Sequence, residues 1–523
     1  MAPMRWVRAV SARVGETAET LGGKAHGLVL LHRLGLRVPA GFVVTTGACR
    51  AFLRDGRRPQ GLDEELAAAV ADLERSTGRV FGGPRRPLAV SVRSGAGVSM
   101  PGMMNTVLNL GLTTEATEGL AAETGDRPFA LDSRSRFLAS FTSATRAAEG
   151  LAGERRGRPV PDDAIRQLEW AVEAVFASWD TPRARTYRTL HGIPHDLGTA
   201  VVVQRMVFGN RDARSGTGVA FSRDPNTGEN VPYGEVLFGH QGDDAVSGRA
   251  ATRPLGELAA REPGVWAELL DALRRVEGHY RDACYVEFTF EAGELWILQV
   301  RPGRFAGAAA VRLATELVDE RVIERHEALL RVSPRHLPHV RTPRIAPSER
   351  TDLLARGIGA CPGVAAGRVA TTAEGAVLMA RDAPVILVRP ETSPDDMHGL
   401  AAAAGIVTAR GGPASHAAVV ARAMGKPAVV GVTGLTVDAG SGSVTVGGRG
   451  VGDGALVTID GTSGEVALGT PRVVADAAGG HLHRLLAWAD DVSGDHSARD
   501  EAQRLDAAHA ALRHHPPTGR ASR

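Results

Sequence analysis

Short apolar runs broken by glycine turns, such as VPAGFVVTT and PLAVSVRSG, fill residues 1–112 from about position 20 onward and predict an α/β or α+β domain. Between 113 and 198 the period changes. This stretch is rich in Ala, Glu, Arg and Leu, and IRQLEWAVEAVFASW sets apolar residues at helical spacing, which predicts a helical insert. Strand patterns return over 199–305 in TAVVVQRMVFG, GTGVAFSRDP and CYVEFTFEAGELWILQVRPG, the last reading as a hairpin that turns at Ala292 and Gly293. Residues 306–356 read as a helix and then a proline-rich, charged linker. From 357 to 469 the chain is dense in Gly, Ala and Val, with strands in APVILVRP, AGIVTA and GALVTID around one short helix, a second compact domain. Residues 470–523 hold one amphipathic segment, HLHRLLAWADDV, and a polar end rich in His and Arg, expected to be partly helical or disordered. No internal repeat is visible, and the expected class is a mixed α/β and α+β multidomain protein.

With 523 residues, two to four cores are expected. The three cysteines, Cys49, Cys284 and Cys361, lack the paired spacing of a zinc or redox site and read as reduced core thiols. No run approaches the roughly 18 apolar residues of a membrane span, and the first residues lack an apolar signal core, so a soluble cytoplasmic protein is expected. A net charge of +2 with scattered basic residues gives no electrostatic footprint for nucleic acid. Nearly every cation is arginine. Lysine occurs only at Lys24, in LGGKAHG, and Lys426, in MGKPAVVG, so each is a candidate for a role needing a compact ammonium; chance survival is the alternative.

The most specific stretch, ARGGPASHAAVVARAMGKPAVVG at 409–431, runs strand, glycine turn, helix, with His416 at the helix start. There the free N–H groups and the positive end of the helix dipole favour an imidazole carrying a dianionic phosphoryl group, and a neutral imidazole is a competent nucleophile. The alternative is a histidine that merely sits in the first turn of a surface helix.

This stretch resembles the phosphohistidine motif of enzymes that make or use phosphoenolpyruvate, and RPETSPDDMHGL and CPGVAAGRV extend the resemblance across the swivelling β/α domain of that family, about 357–469. Ser415 is similar to the pyruvate phosphate dikinase branch. Ala414 departs from the threonine whose phosphorylation regulates the plant enzymes, so control of that kind is not expected. The first 305 residues resemble the ATP-grasp-like nucleotide-binding part of the same family, in four motifs. In LGGKAHGLVLLHRLGLRVPAGFVVTT the resemblance implies that Lys24 contacts ATP phosphates. In SVRSGAGVSMPGMMNTVLNLGL it implies that Arg93 clamps phosphate and that the loop from Gly97 through Met100 and Pro101 to Gly102 brings backbone N–H groups against it. QRMVFGNRDARSGTGVAFSRDPNTGE and YVEFTFEAGELWILQVRPG close the nucleotide cleft, with Glu287 and Gln299 holding Mg²⁺ and Arg301 neutralising the transferring charge. A Glu287–Arg301 pair across the hairpin is the structural alternative.

The family's aspartate two residues before Glu287 is Tyr285 here, a poor magnesium ligand because its phenol stays protonated at neutral pH. Weaker metal binding is expected, or recruitment of Asp224 or Glu235, or loss of catalysis. The resemblance covers about 470 residues, roughly half of a complete dikinase, and omits the barrel that binds pyruvate or phosphoenolpyruvate. It implies ATP and phosphate as substrates, phosphorylation of the chain's own His416, and a barrel on a separate subunit. The other functions are a catalytically weak or dead nucleotide-binding partner protein and an antibiotic phosphotransferase like the rifampin-modifying family. Against the latter, about fifty residues join the two domains, too few for a drug-binding domain.

Overall fold

The computed structural model describes residues 5–98, 100, 103–147, 159–242, 244, 252–303, 305, 307–334, 337, 340, 343–346, 352–413, 415–475 and 479–514. Its contacts divide the chain into two units, Met1–Gly216 with Glu287–Val300, and Thr217–Val286 with Arg301–Arg523.

The first unit is built on an antiparallel five-stranded sheet in the order Val7–Ala9, Gly41–Val44, Ala200–Arg205, Val90–Gly95, Thr106–Leu110. Val90, Val92, Val201 and Val203 share one buried core with Phe137, Phe141 and Phe176 of the insert helices. Each such side chain contributes about 1.5–3 kcal/mol by leaving water. The insert is helical as its period predicts, in Thr114–Thr124, Arg127–Ala147, Ala164–Ser178 and Pro182–Leu190. In Ala164–Ser178 the residues Leu168, Ala171, Val172, Val175 and Phe176 are buried at the spacing of one helical face. Asp163 caps this helix, accepting from Arg166 N at 2.7 Å. The hairpin turns where expected, with φ of 52° at Ala292 and 81° at Gly293. Its tip is fastened by the segment before it: Ala292 N donates to Ser215 Oγ, Gly293 N donates to Arg214 O, and Glu291 accepts from Phe208 N and Arg211.

In a second sheet, strands Arg253–Pro254, Tyr233–Phe238, Gly216–Phe221 and Cys284–Glu291 are neighbours in that order. Arg223 is fully buried beside them. Its charge is compensated by Glu277 at 2.7 Å and Glu320 at 2.6 Å, without which burial would be prohibitive. Further along, an eight-stranded sheet runs Leu353–Arg356, Glu465–Leu468, Leu456–Asp460, Val364–Ala370, Val385–Arg389, Gly405–Thr408, Ala428–Val430, Ile358–Cys361, parallel at its centre. One face packs on helices, and the other carries a valine-rich core shared with the small sheet Leu435–Asp438, Ser443–Val446, Arg449–Gly452. Among the described residues three α-helices accompany the large sheet, Ala373–Met379, Met397–Ala402 and His416–Met424, where the glycine-rich pattern suggested one. Composition hid the other two because they are only seven and six residues long.

The amphipathic segment after residue 479 is a helix, and the polar end that follows it holds a second one. Gly480–Ser493 and Glu501–His514 are helices whose Leu485, Leu486, Trp488, Leu505 and Leu512 share a core with Val311, Leu313, Leu317 and Leu329. The apolar residues of the last helix are few but fall on one face, which suffices once a partner surface exists.

Candidate functional site

In the first unit, helix Ala18–Arg33 is interrupted at Gly22, with φ 76° and ψ 153°. A Cβ there would stand 1.6 Å from the Gly95 carbonyl oxygen, so only glycine permits the approach. Gly23 N donates to Ala96 O at 3.0 Å, and a Cβ on Gly95 would stand 3.3 Å from that of Lys24. The turn that carries Lys24 therefore lies directly on the strand end that carries Arg93 and leads to Gly97. Arg93 donates from Nη2 to Glu287 at 2.9 Å, and both groups are largely buried. Three sequence motifs thus meet around Lys24, Arg93 and Glu287. Met100 is buried beside them in sequence, while Pro101 and Gly102 lie outside the described residues. Gln299 is half-buried on strand Glu294–Pro302.

In the second unit, Arg301 lies over the ring of Tyr285, 4.1 Å from its centroid, instead of serving as the cross-hairpin partner considered for Glu287. Gln299 lies on the strand that neighbours the strand of Glu287. Among the described residues no group of three or more His, Cys, Asp and Glu side chains is arranged to hold a metal ion. Glu287 and Gln299 suit a magnesium ion whose remaining ligands are phosphate oxygens and water, since such ions are held by few protein groups. Of the substitute carboxylates, Asp224 turns inward, accepting from Asn226 N at 2.7 Å, and burial raises its proton affinity. Glu235 lies instead against the loop before His416, where a Cβ on Gly412 would fall 1.4 Å from its Oε2.

His416 opens helix His416–Met424, and Ser415 caps it, accepting from Ala418 N at 3.4 Å. Ala414 lies outside the described residues. Thr392 Oγ1 is 3.0 Å from His416 Nδ1, while Nε2 is buried with no hydrogen-bond partner among the described residues. In the tautomer whose Nδ1–H donates to Thr392, the lone pair of Nε2 is free. Burial pushes the imidazole below its ordinary proton affinity and the nearby Asp396 partly offsets this, so the ring is neutral at physiological pH. Asp396 is itself fixed by Ser393 N at 2.8 Å and by Arg389 at 3.2 Å. Thr392, Asp396 and Arg389 were not singled out in the sequence, although Ser393-x-x-Asp396 has the spacing of a capping box and forms one. Lys426 has a different role from the one its rarity suggested. Its Nζ donates to Ala401 O and Ala403 O, both at 2.5 Å, closing the end of helix Met397–Ala402. The three cysteines are free and buried, and burial pushes the Cys49 and Cys284 thiols up to about 12, as inert core groups. No helix among the described residues is long and apolar enough to cross a membrane.

Residues 54–254 match the family described as pyruvate phosphate dikinase, AMP/ATP-binding domain, and residues 381–464 match the mobile domain of PEP-utilising enzymes. The chain is 43% identical over 514 residues to pyruvate, phosphate dikinase 2 of Zea mays and 39% identical over 525 residues to pyruvate, phosphate dikinase of Rhizobium meliloti. Each alignment covers 91% of this chain and 58% of the relative. The chloroplastic enzyme of Arabidopsis thaliana is 40% identical over 512 residues, covering 90% of this chain and 53% of its own length. The chain therefore spans little more than half the length of these relatives.

Proposed function

Because the chain belongs to the pyruvate phosphate dikinase family, we propose that its ATP-grasp-like part, residues 20–305, binds Mg-ATP and phosphorylates Nε2 of His416 on a swivelling domain at 357–469. Nε2 supplies the electron pair for the new N–P bond to the β-phosphorus. The bond from that phosphorus to the α-phosphate oxygen breaks and AMP leaves with its electrons, while the γ-phosphoryl group passes to inorganic phosphate. Lys24 and Arg93 offset the negative charge that separates, the loop at 97–102 directs N–H groups at phosphate oxygens, and Arg301 neutralises the moving group. Glu287 and Gln299 would hold the magnesium ion, which supplies further charge neutralisation when bound. The onward acceptor in this reading is pyruvate on a barrel carried by a separate subunit.

The observation that carries this reading is the His416 imidazole, neutral, fixed at Nδ1 by Thr392 and bare at Nε2. It is tested with β-labelled ATP, Mg²⁺ and phosphate. The protein acquires acid-labile, base-stable label and His416→Ala acquires none; label that survives in the variant overturns the assignment. One observation favours a second reading, a nucleotide-binding partner with weak catalysis. Glu287 is engaged by Arg93, and Tyr285 is 3% exposed beneath Arg301, so a metal ion would be held by fewer carboxylates than the family pattern provides.

A further inference from the structure

Arg422 lies on the His416 helix, about 1.7 turns beyond the histidine. Its guanidinium donates to Ala360 O at 2.9 Å and to Pro413 O, so it ties the helix to the loop that leads into His416. The same guanidinium lies 5.8 Å from the ring centroid of Phe221, a residue of the nucleotide-binding segment. Phe221 meets Tyr285 edge-on, with centroids 5.0 Å apart, and Tyr285 carries Arg301 at 4.1 Å on its ring. Four side chains thus follow in the order cation, ring, ring, cation. Phe221 and Tyr285 are both buried in one apolar cluster with Val219, flanked by Tyr233 and Phe305. Among the described residues neither Arg301 nor Arg422 is paired with a carboxylate. Burial weakens the charged state of Arg422, and the carbonyls of Ala360 and Pro413 together with the face of Phe221 offset its charge, while the face of Tyr285 lies against Arg301.

We propose that Phe221 and Tyr285 are positioning residues, an edge-to-face aromatic pair that seats the His416 helix on the nucleotide-binding segment by gripping Arg422 while holding Arg301. The proposal rests on the phosphohistidine reading for its kinetic consequence only. Tyr285 in this view is a ring selected for its face. An isolated magnesium ligand lost from position 285 would leave no reason for the Arg301 stack or for the contact with Phe221. The two rings between them, with the carbonyls that accept from Arg422, also explain how two guanidinium groups share one neighbourhood without a carboxylate between them.

The test separates docking from nucleotide binding. Tyr285→Leu and Phe221→Leu are expected to slow single-turnover labelling of His416 by about tenfold while leaving the equilibrium affinity for ATP within about twofold. Tyr285→Phe, which keeps the ring, restores the rate. In an Arg422→Gln background, Phe221→Leu slows labelling by no more than about twofold further, because the contact it removes is already gone. Leucine variants that label at the wild-type rate, or that lose ATP affinity in step with rate, overturn the proposal. A parallel cycle in urea uses the same variants: the unfolding midpoints of Phe221→Leu and Arg422→Gln are expected to be non-additive, and additive midpoints overturn the stack whether or not label forms. Should the wild-type chain fail to label while the midpoints are coupled, the phosphohistidine reading falls and the stack stands.

Discussion

The neighbourhoods of Lys24 and of His416 look alike in sequence, each a glycine turn against a helix with a rare lysine nearby, yet they are built on different length scales. Around His416 the helix cap Ser415, the tautomer-setting Thr392, the buried Asp396 and the capping Lys426 all fall within 35 residues, on consecutive strands and helices of one sheet. Around Lys24 the partners come from residues 22–24, 93–97 and 287, and the Arg93–Glu287 pair closes a separation of 194 positions. The first site is local and its geometry is set by its own domain. The second exists only when the sheet and hairpin have formed, so its charged groups hold one another in place.

The largest expected effect breaks the local site at its centre: His416→Ala removes labelling altogether, measured with β-labelled ATP. Next, Lys24→Met is expected to reduce labelling by about 100-fold, since an ammonium facing separating phosphate charge has no substitute in a thioether. Its urea unfolding midpoint stays near that of the wild type, and a loss of stability equal to the loss of rate would assign Lys24 a structural role.

Thr392→Val sharpens the contrast from the other side, because it leaves the imidazole buried but removes the acceptor for Nδ1–H. Labelling is expected to fall by about tenfold with ATP affinity intact. The pH profile tests the same geometry. Burial depresses the imidazole, so the nucleophilic neutral form persists as pH falls through the ordinary value of about 6.5, and the labelling rate declines only below it. The sign for stability follows: the unfolded chain takes up a proton at a higher pH than the folded one, so this group lowers stability as pH drops through that window. A rate that halves at or above roughly pH 6.5, the unperturbed value, would show that the ring is not buried in the reacting state.

Tyr285→Asp decides between two accounts of one position. A lost metal ligand would be regained and labelling would rise, whereas the aromatic stack would be broken and labelling would fall; the structure predicts the fall. The smallest effect is expected at Lys426. Lys426→Met removes the cation from two helix-end carbonyls and costs about 1 kcal/mol in urea unfolding, with labelling within about twofold of wild type.

Much of this arrangement is legible in order along the chain. The period-2 and period-3.6 patterns locate the sheets, the insert and the hairpin turn, since each depends only on residues within a few positions. His416 is legible because a strand, a glycine turn and a helix start are contiguous, and the Ser393-x-x-Asp396 box was legible too, though it names a cap and not a neighbour of histidine. The last helix was not, because its polar composition outweighs three buried apolar residues until the face of Val311 and Leu329 is there to receive them.

What the sequence determines by itself is therefore the kind and order of the elements and the identity of the groups able to do chemistry: two lysines among many arginines, one histidine at a helix start, one tyrosine two residues before a glutamate. Tertiary structure alone decides which of these groups meet. It sends Lys24 to the glycine loop and Lys426 to a helix end, pairs Glu287 with Arg93, and lays Arg301 on Tyr285. The reason is that burial and hydrogen bonding act over ångströms in space, while the residues that satisfy them are separated by tens to hundreds of positions, and no local pattern encodes that distance.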